Sequence, residues 1–217
     1  MPATRGRYGG IDAAERIATR RTQLVESALQ LLGTDGVSAT TVRGICAQAR
    51  LTPRYFYESF DDLDAILLAL FDEIAAEAAN AVLQAVAAAD QDARAKSRAA
   101  IGAFVELLTD DPRKARVLFI EAMGSESLAR RRFETVRMFA RLVAEQARAF
   151  YNVPHETDPL VELTALTLAG GLAEVLLAWL DGTLRITREQ LIEDCTDLFV
   201  ANGEAAVRLV NGRRATT

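Results

Sequence analysis

The sequence predicts an all-α protein of about nine helices, in which a small N-terminal helical domain precedes a larger C-terminal helical bundle. Ala, Leu, Arg and Glu are abundant and strand-forming residues are not prominent, a mixture that favours helices. The few Pro and Gly residues fall in clusters between stretches of helical periodicity, where helices end and begin. No segment alternates convincingly between apolar and polar residues, so no strand is predicted.

The front of the chain is predicted to fold into three helices. The first ends near Leu32, where Gly33 and Gly36 turn the chain. A short second helix spans about residues 41–48, because apolar residues recur there at i, i+3, i+4 and i+7. A short third helix follows after only three or four residues.

Residues that start and end helices recur along the rest of the chain. Further helix starts are predicted at Asp61, at Asp111-Pro112, at Ser125, at Asp158-Pro159, and at Thr187 with Gln190 in a capping box. The helix after Pro159 is strongly apolar and ends at Asp181-Gly182. The last helix carries its apolar residues along one side: Leu191, Ile192, Cys195, Leu198, Phe199 and Leu209.

The elements and the charges divide the chain in the same way. We expect a loose arm (1–14), a small helical domain (15–60), a connecting helix (61–80) and a larger domain (81–217). The formal net charge is −5, yet residues 1–60 carry eight basic and five acidic side chains, so the excess of negative charge lies in the remainder. A mildly basic front on an acidic protein fits a chain whose front meets phosphate.

Several classes of protein are disfavoured. The two cysteines, Cys46 and Cys195, lie far apart and predict neither a disulfide framework nor a metal site. No Gly-rich phosphate loop, nucleophile elbow or metal-ligand spacing is present, and His155 is the one histidine, so no catalytic residue, cofactor or enzyme activity is predicted. With no signal peptide and no uncharged run long enough to span a bilayer, we expect a cytoplasmic protein without membrane partners.

The most informative stretch is residues 40–60, TTVRGICAQARLTPRYFYESF. Its second helix opens with Thr52 as the cap and Pro53 at the first position, where a missing N–H costs nothing. Polar, basic and aromatic residues at the start of a short helix are what a DNA recognition helix needs, because its N-terminal side chains meet base edges in the major groove.

This stretch resembles the helix-turn-helix of the tetracycline-repressor (TetR) family. Gly36 before it and the Asp-Leu-Asp-Ala-Ile-Leu-Leu run after it also match the family. Two positions depart from the family's pattern: Arg50 stands where Gly is usual, and Leu63 stands where Lys is often found. The residues that carry the resemblance within the stretch are Thr41, Val42, Ile45, Ala47, Thr52, Phe56, Tyr57 and Phe60.

The resemblance implies roles for the residues of this motif. Arg54 is the candidate for reading a base, typically guanine, with Thr52, Pro53 and Tyr55 beside it. Candidate phosphate contacts are Thr41, Arg43 and Tyr57, and Arg20 and Arg21 of the first helix are candidates for backbone or minor-groove contacts. The alternative for each Arg is a solvated surface charge, and Phe56 and Phe60 are expected in the core.

The resemblance also implies a homodimer formed by the last two helices of each subunit, and a ligand cavity in the bundle. Apolar candidates for that cavity are Phe104, Leu108, Phe119, Met123, Phe133 and Phe139, with ordinary core packing as the alternative. Glu121 and Glu174 lie in apolar runs, where a buried carboxylate needs a ligand amine or an Arg such as Arg137 or Arg141. The run Arg130-Arg131-Arg132 is expected to be a solvated face.

Taken together, the resemblance implies a bacterial, ligand-responsive repressor that binds a near-palindromic operator as a homodimer and leaves it when a small molecule binds. A helical small-molecule-binding or adaptor protein without sequence-specific DNA binding is the alternative. It explains the bundle but not the Thr-Pro-Arg-Tyr start of a short helix.

Overall fold

A computed structural model describes residues 13–151 and 159–214, and these residues are helical with no strand among them. The arm predicted at 1–14, His155 and the Asp158 cap therefore lie largely or wholly outside the described residues. Within these two ranges the chain forms nine α-helices, as predicted: α1 (Ala13–Asp35), α2 (Val42–Ala49), α3 (Pro53–Tyr57), α4 (Leu63–Ala88), α5 (Ala93–Asp110), α6 (Pro112–Ala115), α7 (Glu126–Tyr151), α8 (Pro159–Leu180) and α9 (Arg188–Arg214).

Between α6 and α7 the chain changes its helical winding. Arg116–Ile120 forms a π-helical turn and Glu121–Met123 a 3₁₀ turn. We call residues 112–123 the mixed segment. A π-helical turn inside a helix is often found at functional sites, and here it lies where the two parts of the protein meet.

The helix starts follow the local chemistry in most places. The Asp111 carboxylate accepts the Arg113 N–H at 3.1 Å and the Thr187 hydroxyl accepts the Gln190 N–H at 3.1 Å, as predicted. Two predictions are wrong by a residue or more. The cap of α4 is Asp62 rather than Asp61, and α1 continues through Gly33 to Asp35 before Gly36 turns the chain with φ of 84°.

The turn between α2 and α3 sets the direction of the third helix. Arg50 has φ of 55° and ψ of 37°, in the left-handed region. Its N–H donates to the Ala47 carbonyl at 3.2 Å, and the Leu51 N–H donates to the Cys46 carbonyl at 2.9 Å. This pair of hydrogen bonds is the Schellman arrangement, in which Gly usually occupies the left-handed position.

One hydrophobic core joins the small domain to the bundle. Leu24 of α1, Ile45 of α2 and Phe56 of α3 are fully buried, and they belong to the same cluster as Phe71 of α4 and Leu176 of α8. The long helix α4 therefore carries the packing of the N-terminal helices directly into the C-terminal bundle.

The last two helices are less buried than their apolar sequences suggest. In α8 only three residues are buried, Ala165, Ala169 and Leu176. Judged by length and composition alone, α8 could cross a membrane. This is weak evidence, because core helices of soluble proteins pass the same test. The side of α9 that carries these apolar residues is covered unevenly, since Leu191 and Cys195 are buried whereas Leu198 and Leu209 are more than half exposed.

The strain at Arg50 gives a first prediction. Substitution Arg50→Gly should stabilise the fold by about 1 kcal/mol, because Gly adopts left-handed backbone angles without a Cβ clash. Chemical denaturation measures this change. The matched control is Ala47→Gly in the exposed interior of α2, which should destabilise the protein by roughly 0.5–1 kcal/mol. Equal destabilisation by both substitutions would contradict the strain at Arg50.

Candidate DNA-binding surface and effector cavity

The first turn of α3 projects from a buried base. Phe56 is fully buried and Phe60 nearly so, which anchors the helix through its C-terminal half. Thr52 and Pro53 are exposed, and the Arg54 side chain is 85% exposed. The Thr52 hydroxyl makes no capping hydrogen bond, so this polar group at the tip of α3 is available to a partner.

Glu58 and Arg20 brace α3 from behind. The Glu58 carboxylate accepts a hydrogen bond from Arg20 of α1 at 3.3 Å and lies 3.4 Å from the Arg54 Nε. The Arg20 guanidinium also stacks over the half-buried Tyr55 ring, 4.3 Å from its centroid. Arg20 is therefore engaged within the protein, where a cation over an aromatic ring contributes about 0.5–2 kcal/mol, and it positions Tyr55.

Arg21 is also engaged within the protein. Its guanidinium lies 4.4 Å from the centroid of the Phe60 ring and 3.7 Å from the Glu73 carboxylate. Its side chain is 41% exposed, so it sits at the edge of the surface that carries α3.

The remaining motif residues surround α3 on the exterior. The Thr41 hydroxyl caps α2 by accepting the Gly44 N–H at 3.0 Å, and Tyr57 is 60% exposed. Arg43 and Arg50 are exposed and form no ion pair with any residue in the described ranges. Arg50, which departs from the family's pattern, was not among the site residues predicted from the sequence.

The acids at the start of α4 have intramolecular roles. The Asp62 carboxylate caps the helix at the Ala65 N–H, 2.8 Å away, and the Asp64 carboxylate accepts the Ser127 hydroxyl at 3.0 Å. Leu63, which replaces the frequent Lys, is half-buried against the core. This end of α4 therefore contributes packing rather than a cation to the surface around α3.

A cavity of about 110 Å³ lies inside the bundle. Three of the apolar candidates, Phe104, Phe119 and Phe139, line it. The centroid of the Phe104 ring lies 6.4 Å from that of Phe119 and 5.5 Å from that of Phe139. The other apolar candidates lie elsewhere: Leu108 is in the fully packed core, and Met123 and Phe133 are 61% and 59% exposed. Helical spacing did not distinguish these locations.

Arg132 is the charged residue that lines this cavity. Its Nη2 donates to Glu174 at 2.5 Å. The Glu174 side chain is 66% exposed, whereas that of Arg132 is 10% exposed. The prediction of a solvated face for residues 130–132 is therefore wrong at Arg132, and the partner of Glu174 is neither Arg137 nor Arg141.

Glu121 connects the cavity wall to the helix-turn-helix. It is 8% exposed, and its carboxylate accepts the Val37 N–H at 2.7 Å and the Arg116 Nε at 2.8 Å. Arg116 also donates to the Thr34 carbonyl at 2.6 Å. The partner of Glu121 is thus Arg116 rather than Arg137 or Arg141, and the contact spans from the mixed segment to the turn between α1 and α2.

The surfaces around this contact approach each other closely. A Cβ at Gly33 would lie 2.5 Å from the Arg113 Cβ, and a Cβ at Gly124 would lie 2.6 Å from a Val37 methyl group. Arg113 also bonds Asp111 and reaches Gln30 of α1 at 2.8 Å, and its guanidinium holds the pKa of the Asp111 carboxyl below the ordinary value. The mixed segment therefore packs so closely against α1 that a larger side chain would not fit between them.

Within the described residues, no group of three His, Cys, Asp or Glu side chains is placed to hold a metal ion. Burial raises the pKa of both thiols, Cys46 and Cys195, above the ordinary value. Both cysteines therefore behave as small core residues rather than as reactive thiols.

Comparison with known proteins identifies the helix-turn-helix. The family model for "Bacterial regulatory proteins, tetR family" matches residues 24–70. No curated protein matches the chain. The match covers the second half of α1, all of α2 and α3 and the start of α4, and it confirms the resemblance predicted from the motif.

Solved structures share the whole fold. A TetR family transcription regulator from Marinobacter aquaeolei VT8 is 20% identical over 87% of this chain and 97% of that chain, with a TM-score of 0.58. The regulator FadR from Bacillus subtilis, in complex with stearoyl-CoA, is 18% identical over 83% and 98%, with a TM-score of 0.68. The multidrug binding protein EbrR, complexed with imidazole, is 22% identical over 82% and 94%, with a TM-score of 0.62.

The buried Glu121 contact generates a stability prediction. Substitution Glu121→Ala should destabilise the fold by about 2–3 kcal/mol, because it leaves the Val37 N–H and the Arg116 Nε–H without their acceptor. Urea denaturation measures the change. Glu106→Ala on the exposed face of α5 is the matched control and should stay within about 0.5 kcal/mol of the parent protein. A loss no larger than that of the control would show that the contact contributes nothing.

Proposed function

We propose that this chain, which carries a TetR-family helix-turn-helix on the fold of that family's regulators, is a ligand-responsive transcriptional regulator that binds a near-palindromic operator as a homodimer. The observation that carries the proposal is the first turn of α3, where exposed Thr52, Pro53 and Arg54 stand on the buried base of Phe56. Fixed side chains at a helix N-terminus are suited to reading base edges in the major groove.

The surface around α3 separates reading from positioning. Arg54 is proposed to bond guanine, since its fork matches the two acceptors of that base, while Thr52 and Tyr55 contact neighbouring bases or sugars. Arg43, Arg50, Thr41 and Tyr57 are proposed to contact phosphates, which fix the register of the protein without specifying sequence. Arg20 and Arg21 are proposed to support the rings of Tyr55 and Phe60. Only the exposed parts of the two arginine side chains would then reach phosphate.

A second copy of the chain is the proposed partner of α8 and α9. Leu163 and Leu166 on α8 are 61% and 46% exposed, and Leu198 and Leu209 on α9 are 58% and 55% exposed. Apolar surface of this extent on two long helices is typical of a protein–protein interface. A two-fold axis through it would present two copies of α3 to two operator half-sites.

The effector is proposed to act through the mixed segment. Leu118 and Phe119 line the cavity, and they lie in the π-helical turn between Arg116 and Glu121, which hold the turn before α2. A ligand that displaces this turn would tilt α1 and α3 relative to the bundle and change the spacing of the two recognition helices. Release of DNA follows if the ligand binds more tightly to the form with the wrong spacing.

Selection of DNA from a random duplex library tests the operator proposal. At about 0.15 M salt, an ionic strength typical of cells, the protein should enrich a near-palindromic site. Arg54→Ala and Tyr55→Ala should each weaken binding to that site by about 1–3 kcal/mol, whereas Arg130→Ala at an exposed position of α7 should leave it unchanged. Retention of DNA without enrichment, lost as salt rises, would favour the helical binding protein that lacks sequence-specific DNA binding.

The dimer proposal predicts the mass of the protein in solution. The parent chain should sediment as a dimer, and Leu198→Glu should shift it to monomer, because the new charge would be taken out of water at the interface. Met123→Glu, at a similarly exposed position outside α8 and α9, is the control and should remain dimeric. A parent chain that sediments as a monomer at micromolar concentration would exclude this interface.

A further inference from the structure

The cavity in the bundle combines an apolar body with one cationic end. Five phenylalanine rings line it, from α4, α5, the mixed segment, α7 and α9: Phe71, Phe104, Phe119, Phe139 and Phe199. Arg132 is the charged residue among the described residues that line the cavity, and it is 8% exposed. Such a site favours a molecule that is apolar along most of its length and anionic at one point.

The guanidinium of Arg132 has an unused donor. Its Nη2 bonds Glu174, but its buried Nε–H has no acceptor among the described residues. An unsatisfied polar group in apolar surroundings is costly. An acceptor brought into the cavity by a ligand would remove that cost.

Glu174 does not neutralise this end of the cavity completely. Its side chain is 66% exposed, so water screens much of its charge, and the bond it receives comes from Nη2 rather than from Nε. The remaining donor suits a carboxylate, which takes a single charge and bonds a guanidinium in its plane. A phosphate dianion would keep part of its charge unpaired in apolar surroundings, which is strongly unfavourable.

The size of the cavity indicates an extended molecule. One water molecule needs roughly 10–15 Å³ of cavity volume. A cavity of about 110 Å³ therefore holds about ten non-hydrogen atoms. A second, mainly apolar cavity of about 160 Å³, with Lys96 in its wall, adjoins it, and the two share Val82, Ala100, Phe139, Val143 and Phe199 as lining residues. A hydrocarbon chain that starts at Arg132 can therefore continue along α7 into the second cavity.

We propose that the effector of this protein is an elongated apolar carboxylic acid, with its carboxylate on Arg132 and its hydrocarbon chain among the phenylalanine rings. The proposal rests on the proposed function, since it names the chemical class to which the regulator responds. The observation that supports it is that a buried, incompletely bonded guanidinium lies in the wall of an apolar cavity.

Isothermal titration calorimetry of the full chain with octanoate tests the proposal, because octanoate matches the first cavity in size. Octanol, the neutral analogue, should bind at least about tenfold more weakly, which is the effect of one charge-assisted hydrogen bond. Hexadecanoate should bind more tightly than octanoate, because it reaches the second cavity. Octanoate binding no tighter than octanol would overturn the carboxylate site, and hexadecanoate binding weaker than octanoate would overturn the extended pose.

Three variants locate the carboxylate. Arg132→Met should weaken octanoate about tenfold or more and leave octanol unchanged, whereas Arg141→Met, the same substitution at an exposed position of α7, should change neither. Glu174→Gln should strengthen octanoate several-fold by removing the competing charge, and it provides the test if Arg132→Met does not fold. Octanoate binding that is insensitive to both Arg132→Met and Glu174→Gln would overturn the site.

Operator binding on the same preparation separates this inference from the proposed function. A protein that enriches a near-palindromic site but does not bind octanoate or hexadecanoate retains the regulatory function and excludes the effector class. A protein that binds octanoate through Arg132 but enriches no DNA site retains the carboxylate site and loses the regulatory function.

Discussion

The buried carboxylate of Glu121 is the contact that ties the turn before α2 to the wall of the cavity. A charge in apolar surroundings is stable only while its partners stay in place, and the partners of Glu121 come from both parts of the protein: the Val37 N–H before α2 and the Arg116 guanidinium in the mixed segment. The turn before α2 and the wall of the cavity therefore either move together or lose a strong hydrogen bond. Around this contact the chain packs so closely at Gly33 and Gly124 that neither position has room for a Cβ atom.

The N-terminal part could be predicted from sequence because its structure follows from local rules. Pro53 at the start of α3 and the burial of Phe56 and Phe60 follow from residues a few positions apart, and the structure places each as expected. The Thr52 hydroxyl, predicted to cap α3, makes no capping hydrogen bond. The contacts that brace α3 could not be predicted in this way. Arg20 and Tyr55 meet across 35 positions of sequence, and no periodicity encodes such a pairing.

The bundle was predicted less well for a physical reason. An apolar residue at helical spacing serves equally in a core, a cavity wall or a partner surface, so Phe119, Leu108 and Leu198 look alike in sequence although they lie in a cavity, in the core and on the exterior. The π-helical turn also changes the register of the mixed segment, which a regular period of 3.6 residues does not anticipate. Arg132 was hidden in a run of three arginines that otherwise face solvent.

Arg50 places a strained backbone and an exposed cation at the same position of the proposed DNA-binding surface. A glycine in the left-handed position would be relaxed and uncharged, whereas the arginine found there is strained, exposed and cationic. Each phosphate that such a cation neutralises releases condensed counterions, so binding would weaken with roughly the 0.9 power of salt concentration for every contact. In the proposed symmetric dimer the contact occurs twice, so the ionic strength of the cell would affect occupancy of the proposed operator even without an effector.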